Sequence, residues 1–96
     1  MRESHIERKV KNYATSKGLL ALKFVSPGTT GVPDHIFHGV GHTFYIEFKA
    51  PGEKPSKAQS KMHEKILGKG IPVYVIDDVE KGKELIDDIT RNFYPT

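Results

Sequence analysis

The sequence predicts an α/β fold, a mixed β-sheet flanked by helices, and two observations support this prediction. Three segments carry apolar residues at helical spacing, and four shorter segments are rich in apolar, β-branched and aromatic residues. Turns that contain glycine or proline separate most of these segments. The resulting order of elements over the 96 residues is α-β-β-β-α-β-α.

The first four elements are one helix and three strands. A helix is predicted over Ser4–Lys17, because apolar residues recur there at helical spacing and a glycine follows. The apolar run Leu19–Val25 ends before a Pro-Gly pair and predicts a buried strand. Two further strands are predicted over Val32–His38 and Thr43–Lys49, joined by a hairpin-like turn at Gly39-Val40-Gly41.

The last three elements are two helices with a strand between them. A loop containing two prolines at residues 51–55 precedes a helix predicted over Ser56–Leu67, whose apolar residues stand four apart. The partly β-branched run Ile71–Ile76 predicts a strand. The final helix is predicted over Val79–Phe93, where apolar residues again recur at helical spacing.

The composition indicates one soluble globular domain over residues 1–96. Hydrophobic residues make up 36% of the chain and charged residues 28%. No apolar run approaches the roughly 18 residues that a membrane span needs, and the N-terminus lacks the apolar core of a signal peptide. Cysteine is absent, which excludes disulfides and thiolate metal sites and fits a reducing cytoplasm.

The charges indicate a basic body with an acidic C-terminal helix. The net charge is +3, and residues 1–76 carry 12 Lys and Arg against 6 Asp and Glu. Residues 77–96 carry 3 Lys and Arg against 6 Asp and Glu. This asymmetry suits a polyanionic partner held on one side of the molecule, although an ordinary solvated surface would show the same charges.

Two acidic residues and a lysine carry the strongest indication of chemistry. Asp34 follows a proline, and Glu47 and Lys49 share one face of the third predicted strand, because side chains alternate along a strand. Two carboxylates can hold a hard divalent cation, and a nearby lysine can stabilise the charge that develops in phosphodiester hydrolysis. The structural alternatives are a turn residue for Asp34 and an exposed pair for Glu47 and Lys49.

In this order the residues resemble the PD-(D/E)xK nuclease superfamily, and within it the stand-alone virus-type replication–repair nuclease (VRR-NUC) domain. The resemblance covers essentially the whole chain and implies a restriction-endonuclease-like αβββαβα core. It rests on four segments of the sequence, which are Gly31-Val32-Pro33-Asp34, Tyr45–Gly52, Ser56-Lys57-Ala58-Gln59 and Gly70–Val75.

The resemblance implies a role for each residue of the acidic motif. Asp34 and Glu47 would hold a Mg²⁺ or Mn²⁺ ion together with the backbone carbonyl of Phe48, and Lys49 would be the catalytic lysine. Glu7 matches the acidic residue that such nucleases often carry on the first helix, where it helps to bind a metal or its water.

Glu7 and Gln59 also have a structural explanation. Gln59 matches the glutamine that opens the helix after the catalytic strand in this family, although Met62 stands where members often carry an aromatic residue. Ser4-x-x-Glu7 and Ser56-x-x-Gln59 are both capping-box patterns, in which the last residue bonds back to the helix start. The capping role and a site role for Gln59 are compatible if the helix start borders the site.

The histidines predict no dedicated metal site. His35, His38 and His42 cluster after the Pro-Asp pair and raise the alternative of zinc, but His35 and His38 face opposite sides of a strand. We therefore interpret the three as strand and turn residues. His5 and His63 are isolated on predicted helices and are expected at the surface.

Two segments are candidates for contact with the DNA backbone. The loop at residues 26–31 leads into the site, and its small residues would let a phosphate approach closely. Lysines around the next loop and helix recur every four residues and would meet further phosphates. An ordinary mobile loop and a solvated helix face are the structural alternatives. The candidate contacts are Ser26, Gly28, Thr29, Thr30, Lys54, Lys57 and Lys61.

The sequence therefore predicts a metal-dependent, structure-selective DNA endonuclease. Stand-alone members of the family resemble Holliday junction resolvases, which act as dimers, so we expect a homodimer that cuts four-way junctions. The alternatives are a flap-directed or nicking nuclease acting as a monomer, and a DNA-binding module without catalysis. No membrane partner is expected, and a phage-encoded protein of this kind would act in the cytoplasm of its bacterial host.

Overall fold

The seven predicted elements occur in the predicted order in a computed structural model, which describes residues 1–39 and 41–91. The α/β class is confirmed, although most element ends move by one to three residues. The predicted helix end at Phe93 and the turn residue Val40 lie outside the described residues. No helix in the described part of the chain is long and apolar enough to cross a membrane. The elements are α1 (Glu3–Ser16), β1 (Leu20–Lys23), β2 (His35–Gly39), β3 (His42–Phe48), α2 (Lys57–Leu67), β4 (Val73–Ile76) and α3 (Val79–Thr90).

The strands form one mixed sheet in the order β1-β2-β3-β4. The first three strands run antiparallel, whereas β4 pairs parallel with β3. A parallel pair needs a crossover connection, and α2 provides it. The register pairs His35 with Ile46 and Phe48 with Ile76, which places the start of β2 beside the end of β3.

The hydrophobic core lies between one face of the sheet and the helices α1 and α3. Alternate residues of β2 and β3 point to this face, including Phe37 and Phe44, whose rings stack at 5.1 Å between centroids. The two helices approach closely because Gly82 of α3 leaves its space to the side chain of Val10. α2 lies against the other face, which leaves the carboxyl end of β3 between α2 and the start of α1.

Two expectations about the N-terminal half are wrong. The strand β1 is not buried, since it forms an edge of the sheet and Leu20 and Leu22 are 55% and 43% exposed. The capping box of Ser4 and Glu7 does not form, because α1 begins one residue earlier than predicted. Arg2 occupies the N-cap position without a side-chain cap, and Ser4 lies inside the first turn.

Candidate active site

A hydrogen bond from a backbone amide to its carboxylate holds Asp34 at the end of β3. Asp34 directly precedes β2, so the register between His35 and Ile46 brings it beside Glu47. The Phe48 amide donates to Asp34 Oδ1 at 3.2 Å. Because the N–H and C=O of one strand residue point to the same side, the Phe48 carbonyl is directed towards the β2 side as well. The two carboxylates and this carbonyl group therefore converge at one end of the sheet.

Glu47 is a buried carboxylate on the α2 side of the sheet, with 4% of the residue exposed. Burial, and to a lesser extent the negative charge of Asp34, raises its pKa to about 7, while the positive charge of Lys49 opposes the shift. Lys49 stands two residues along the chain and so shares the face of Glu47. A carboxylate kept in such surroundings beside a second carboxylate is typical of a functional site.

His63 of α2 covers Glu47, and its predicted surface position is wrong. The residue is 7% exposed, and its Nε2 lies 3.4 Å from Glu47 Oε1. Burial lowers the pKa of His63, the positive charge of Lys49 lowers it further, and the negative charge of Asp34 opposes the shift. Helical spacing in the sequence could have indicated this buried position. His63 stands four residues after Gln59 and three before Ile66, so the three residues share the inner side of α2.

Glu3 belongs to the same group of charges, although the sequence analysis did not select it. Partial burial raises the pKa of Glu3, the negative charge of Asp34 raises it further, and Lys49 opposes the shift. Glu3 lies one helical turn before Glu7, so both carboxylates are on the same side of α1. That spacing is the signal by which Glu3 could have been found.

The imidazole ring of His35 lies between Glu7 and Asp34. Its Nε2 is 3.5 Å from Glu7 Oε1, and its Nδ1 is 3.4 Å from Asp34 Oδ1. The residue is fully buried, and its ring meets the ring of Phe48 edge to face at 5.2 Å. His35 is a strand residue, as predicted, but it also connects α1 to the acidic motif, and no spacing in the sequence indicates that contact.

Gln59 forms the predicted capping box at the start of α2. Its side-chain Oε1 accepts a hydrogen bond from the Ser56 backbone amide at 2.9 Å, and its backbone amide donates to Ser56 Oγ at 3.1 Å. Gly31 packs against this helix start, since a Cβ at Gly31 would lie 2.5 Å from the Ala58 carbonyl oxygen. The helix start therefore touches the loop that leads to Asp34.

The residues predicted to contact DNA lie mostly at the surface. Ser26 is half-buried and accepts a backbone hydrogen bond from the Thr29 amide at 3.1 Å, which turns the loop. The other six predicted residues are exposed. Lys57 and Lys61 point away from the side of α2 that buries His63, so they do not line the acidic site.

Two arginines near the start of α1 add positive charge that the sequence analysis did not select. Arg2 and Arg8 line an open depression of about 790 Å³ together with His5 and Glu7. Phosphate oxygens are the ligands that arginine binds most readily. A basic surface thus borders the acidic site on the α1 side.

The donor groups of the site fit a divalent cation. Asp34, Glu47 and Glu7 offer the carboxylate oxygens that Mg²⁺ and Mn²⁺ prefer. Glu7, Asp34 and His35 can each offer one ligand atom within 4.8 Å of the others. Glu47 Oε1 is buried and has no hydrogen-bond partner within the described residues, whereas buried polar atoms are normally bonded. A cation would give such atoms a partner and offset the repulsion between the carboxylates.

Comparisons with known proteins point to one family. No protein-family model matches the chain. A phage protein named "Putative nuclease p44", from Acyrthosiphon pisum secondary endosymbiont phage 1, is 40% identical over 78 residues, which is 80% of this chain and 84% of that protein. A solved structure described as a VRR_NUC domain superposes with a TM-score of 0.82 at 25% identity, and the match covers 88% of this chain and 94% of that one.

The sequence and structure comparisons agree with the resemblance carried by the Pro-Asp and Glu-x-Lys segments. The relative is similar over most of both chains, and the structural match includes nearly the entire VRR_NUC domain. The chain therefore belongs to the VRR-NUC family of nucleases.

Proposed function

We propose that this nuclease is a Mg²⁺- or Mn²⁺-dependent DNA endonuclease that hydrolyses phosphodiester bonds. The observation that carries the proposal is the convergence of Asp34, Glu47 and Lys49 at the end of β3, where Glu47 is buried beside a second carboxylate. A structural role would not need a carboxylate in a place that raises its pKa to about 7. The proposal treats residues 1–96 as one nuclease domain.

Asp34, Glu47 and the Phe48 carbonyl would hold the cation, with Glu7 assisting from α1 through the metal or its water. When bound, Mg²⁺ or Mn²⁺ supplies Lewis-acid stabilisation of phosphate charge and lowers the pKa of a water molecule. The hydrogen bond from the Phe48 amide already orients the Asp34 carboxylate, so this side chain would need little rearrangement to bind the cation.

Lys49 is the proposed catalytic lysine. Its positive charge acts on the titration of Glu3, Glu47 and His63, which supports a position near the carboxylates. From there it can orient the attacking water and balance the charge that accumulates on the phosphate. Gln59 would assist from the helix start through its amide NH₂ group, because its amide oxygen is engaged in the capping box.

The DNA backbone would approach over the loop at residues 26–31 and the exposed lysines. The loop rests on the start of α2, and its tip residues Gly28, Thr29 and Thr30 are exposed. Lys54, Lys57 and Lys61 would add phosphate contacts that position the substrate without reading its sequence. Selectivity would therefore depend on DNA shape.

The substrate that we propose is the four-way (Holliday) junction, cut by a homodimer. Symmetric incision of a junction needs two active sites related by a two-fold axis, and a homodimer supplies them. If the protein is phage-encoded, like the relative it resembles, it would act in the cytoplasm of the bacterial host.

The test is cleavage of a labelled four-way junction beside flap and linear duplex DNA, in Mg²⁺, in Mn²⁺ and in EDTA. We expect paired symmetric cuts in the junction with either metal, no cuts in EDTA, and none with Glu47→Gln. Sedimentation of the same preparation should show a dimer. Cuts confined to flaps and made by a monomer would contradict the junction proposal, although they would still support a nuclease activity. Junction binding in EDTA without any cutting in any divalent metal would instead indicate a binding module.

A further inference from the structure

The most unusual environment outside the Glu47 pocket surrounds His35. The residue is fully buried, and both of its ring nitrogens lack a hydrogen-bond partner within the described residues. Each nitrogen nevertheless faces a carboxylate oxygen, at 3.5 Å for Glu7 and 3.4 Å for Asp34. Such distances are longer than the usual N–H···O bond, which leaves the ring unsatisfied on both sides.

The two carboxylates leave the ring nitrogens of His35 in need of a partner. Ionised carboxylates only accept hydrogen bonds, and at 3.5 Å and 3.4 Å neither contact forms one within the described residues. A cation bound between the ring and the two carboxylates would supply that partner. The competing arrangement, a ring held only by ion pairs to the two carboxylates, has no nitrogen bound to metal, and the experiment below separates the two.

We propose that His35 is a metal ligand and that it forms, with Glu7 and Asp34, a second cation subsite suited to Mn²⁺. One ligand atom from each residue lies within 4.8 Å of the others. Ligand atoms about 2.0–2.2 Å from one ion stand roughly 3–4 Å apart, so a small contraction would complete the site. The inference rests on the proposed function, because Asp34 also serves the first cation.

The strand geometry separates this subsite from the Glu47 pocket. His35 pairs with Ile46 and points to the α1 face of the sheet, whereas Glu47 points to the α2 face. Asp34 stands at the end of the sheet between the two positions. It could thus bridge two cations, one on the Glu47 side and one on the His35 side.

The mixed donor set determines which metal the subsite prefers. Mg²⁺ favours oxygen ligands alone, whereas first-row transition ions accept imidazole nitrogen more readily. The phosphodiester chemistry of the first cation does not depend on this difference. We therefore expect Mn²⁺ to bind with a higher stoichiometry than Mg²⁺, with His35 accounting for the additional ion.

The test uses Mn²⁺ alone as the probe, with no DNA. Pulsed electron paramagnetic resonance detects a histidine nitrogen bound to Mn²⁺ through its nuclear coupling, and labelling the histidines with ¹⁵N identifies that coupling. We expect the coupling in the wild-type protein and in Glu47→Gln, which removes only the first site. It should disappear in His35→Gln and persist in His63→Gln.

Affinity provides a second readout. Calorimetry should show Mn²⁺ binding at the second site weakened about tenfold or more in His35→Gln. Removing even a group that only orients a metal ligand typically lowers metal affinity by about 10–100-fold. His38→Gln is the matched control, because His38 lies on the same strand and bonds to Thr43 Oγ1 at 2.9 Å, away from the site. If His35→Gln does not fold, the half-buried Glu7→Gln should show the same weakening.

The result that overturns the inference is a wild-type protein that binds Mn²⁺ without any histidine nitrogen coupling. This outcome is independent of the proposed nuclease chemistry. If the same protein still cuts DNA in Mg²⁺, the proposed nuclease function is retained and His35 is a structural residue of the core.

Discussion

At the residue scale, the properties of Glu47 follow from its position more than from its chemistry. A glutamate in a strand is usually exposed, but here α2 covers the carboxylate and places His63 3.4 Å from it. The pKa of about 7 follows mainly from this burial. The site therefore holds a carboxylate whose ionisation costs free energy until a positive charge arrives.

This predicts a characteristic dependence of stability on pH in the absence of metal. Because the pKa of Glu47 is raised on folding, the native state holds its proton more tightly than the unfolded state does. Its contribution to stability should be fully present below pH 4.5 and lost as the pH rises towards about 7. Denaturant unfolding in EDTA should show Glu47→Gln gaining about 3 kcal/mol over wild type between pH 4.5 and pH 8.

The control is Glu64→Gln, which changes an exposed glutamate of α2. It should follow the wild-type pH curve within experimental error. Equal pH dependence of wild type and Glu47→Gln would show that Glu47 is ionised at no cost in the folded protein, contrary to the described burial.

His63 should matter for metal binding without being a ligand of the first cation. Its ring is the polar neighbour of Glu47 on the α2 side, so His63→Leu removes the imidazole nitrogen that lies 3.4 Å from Glu47 Oε1. We expect weaker Mg²⁺ binding by about 10-fold, as for other groups that orient a ligand. Calorimetric titration of the protein with Mg²⁺ measures this affinity. An unchanged value would show that His63 only fills space.

At the element scale, the loop before β2 depends on one glycine. Gly31 has a φ of 86°, and a Cβ there would lie 2.5 Å from the carbonyl oxygen of Ala58. Gly31→Ala must displace the first turn of α2 or the loop itself, so it should destabilise the fold by roughly 2–4 kcal/mol from strain and steric conflict.

Gly28 is the matched control for this prediction. Its φ of 81° is similar, but nothing lies within 4 Å of a Cβ added there. Gly28→Ala should therefore cost only the backbone strain, roughly 1–2 kcal/mol. Thermal unfolding compares the two variants directly, and equal losses would mean that the loop does not rest on α2 as described.

The sequence predicted the elements well because their signals are local. Helical spacing indicated all three helices, and Ser56 with Gln59 marked the start of α2 correctly. The exposure of β1 was not predictable, since a short apolar run has the same sequence pattern whether its strand lies at a sheet edge or is buried. Glu3 and His63 were missed as site residues although helical spacing relates them to Glu7 and Gln59, whereas only a tertiary contact brings His35 to Asp34.

At the scale of the whole molecule, the basic surface should control DNA affinity. Phosphate contacts release counterions, so the logarithm of the binding constant falls with the logarithm of salt concentration by about 0.9 per contact on duplex DNA. Combined alanine substitution of Lys54, Lys57 and Lys61 should weaken binding and reduce this slope by about 2–3. Fluorescence anisotropy across a salt series, in EDTA to prevent cutting, provides the measurement.

Lys81→Ala is the control for the salt experiment, because Lys81 is exposed in the acidic C-terminal helix. We expect its slope to equal that of wild type. A triple variant with an unchanged slope would place the DNA on another surface, for which the depression bordered by Arg2 and Arg8 is the next candidate.

Single-turnover cleavage of a four-way junction in Mg²⁺ measures whether Lys49 and the carboxylates beside it catalyse phosphodiester hydrolysis. Lys49→Ala should bind the junction nearly as well as wild type but cut it at least about 10²-fold more slowly, as expected for a group that stabilises the transition state. Lys69→Ala, an exposed lysine beyond α2, should cut at the wild-type rate. A folded Lys49→Ala protein that cuts as fast as wild type would show that Lys49 is not a catalytic residue.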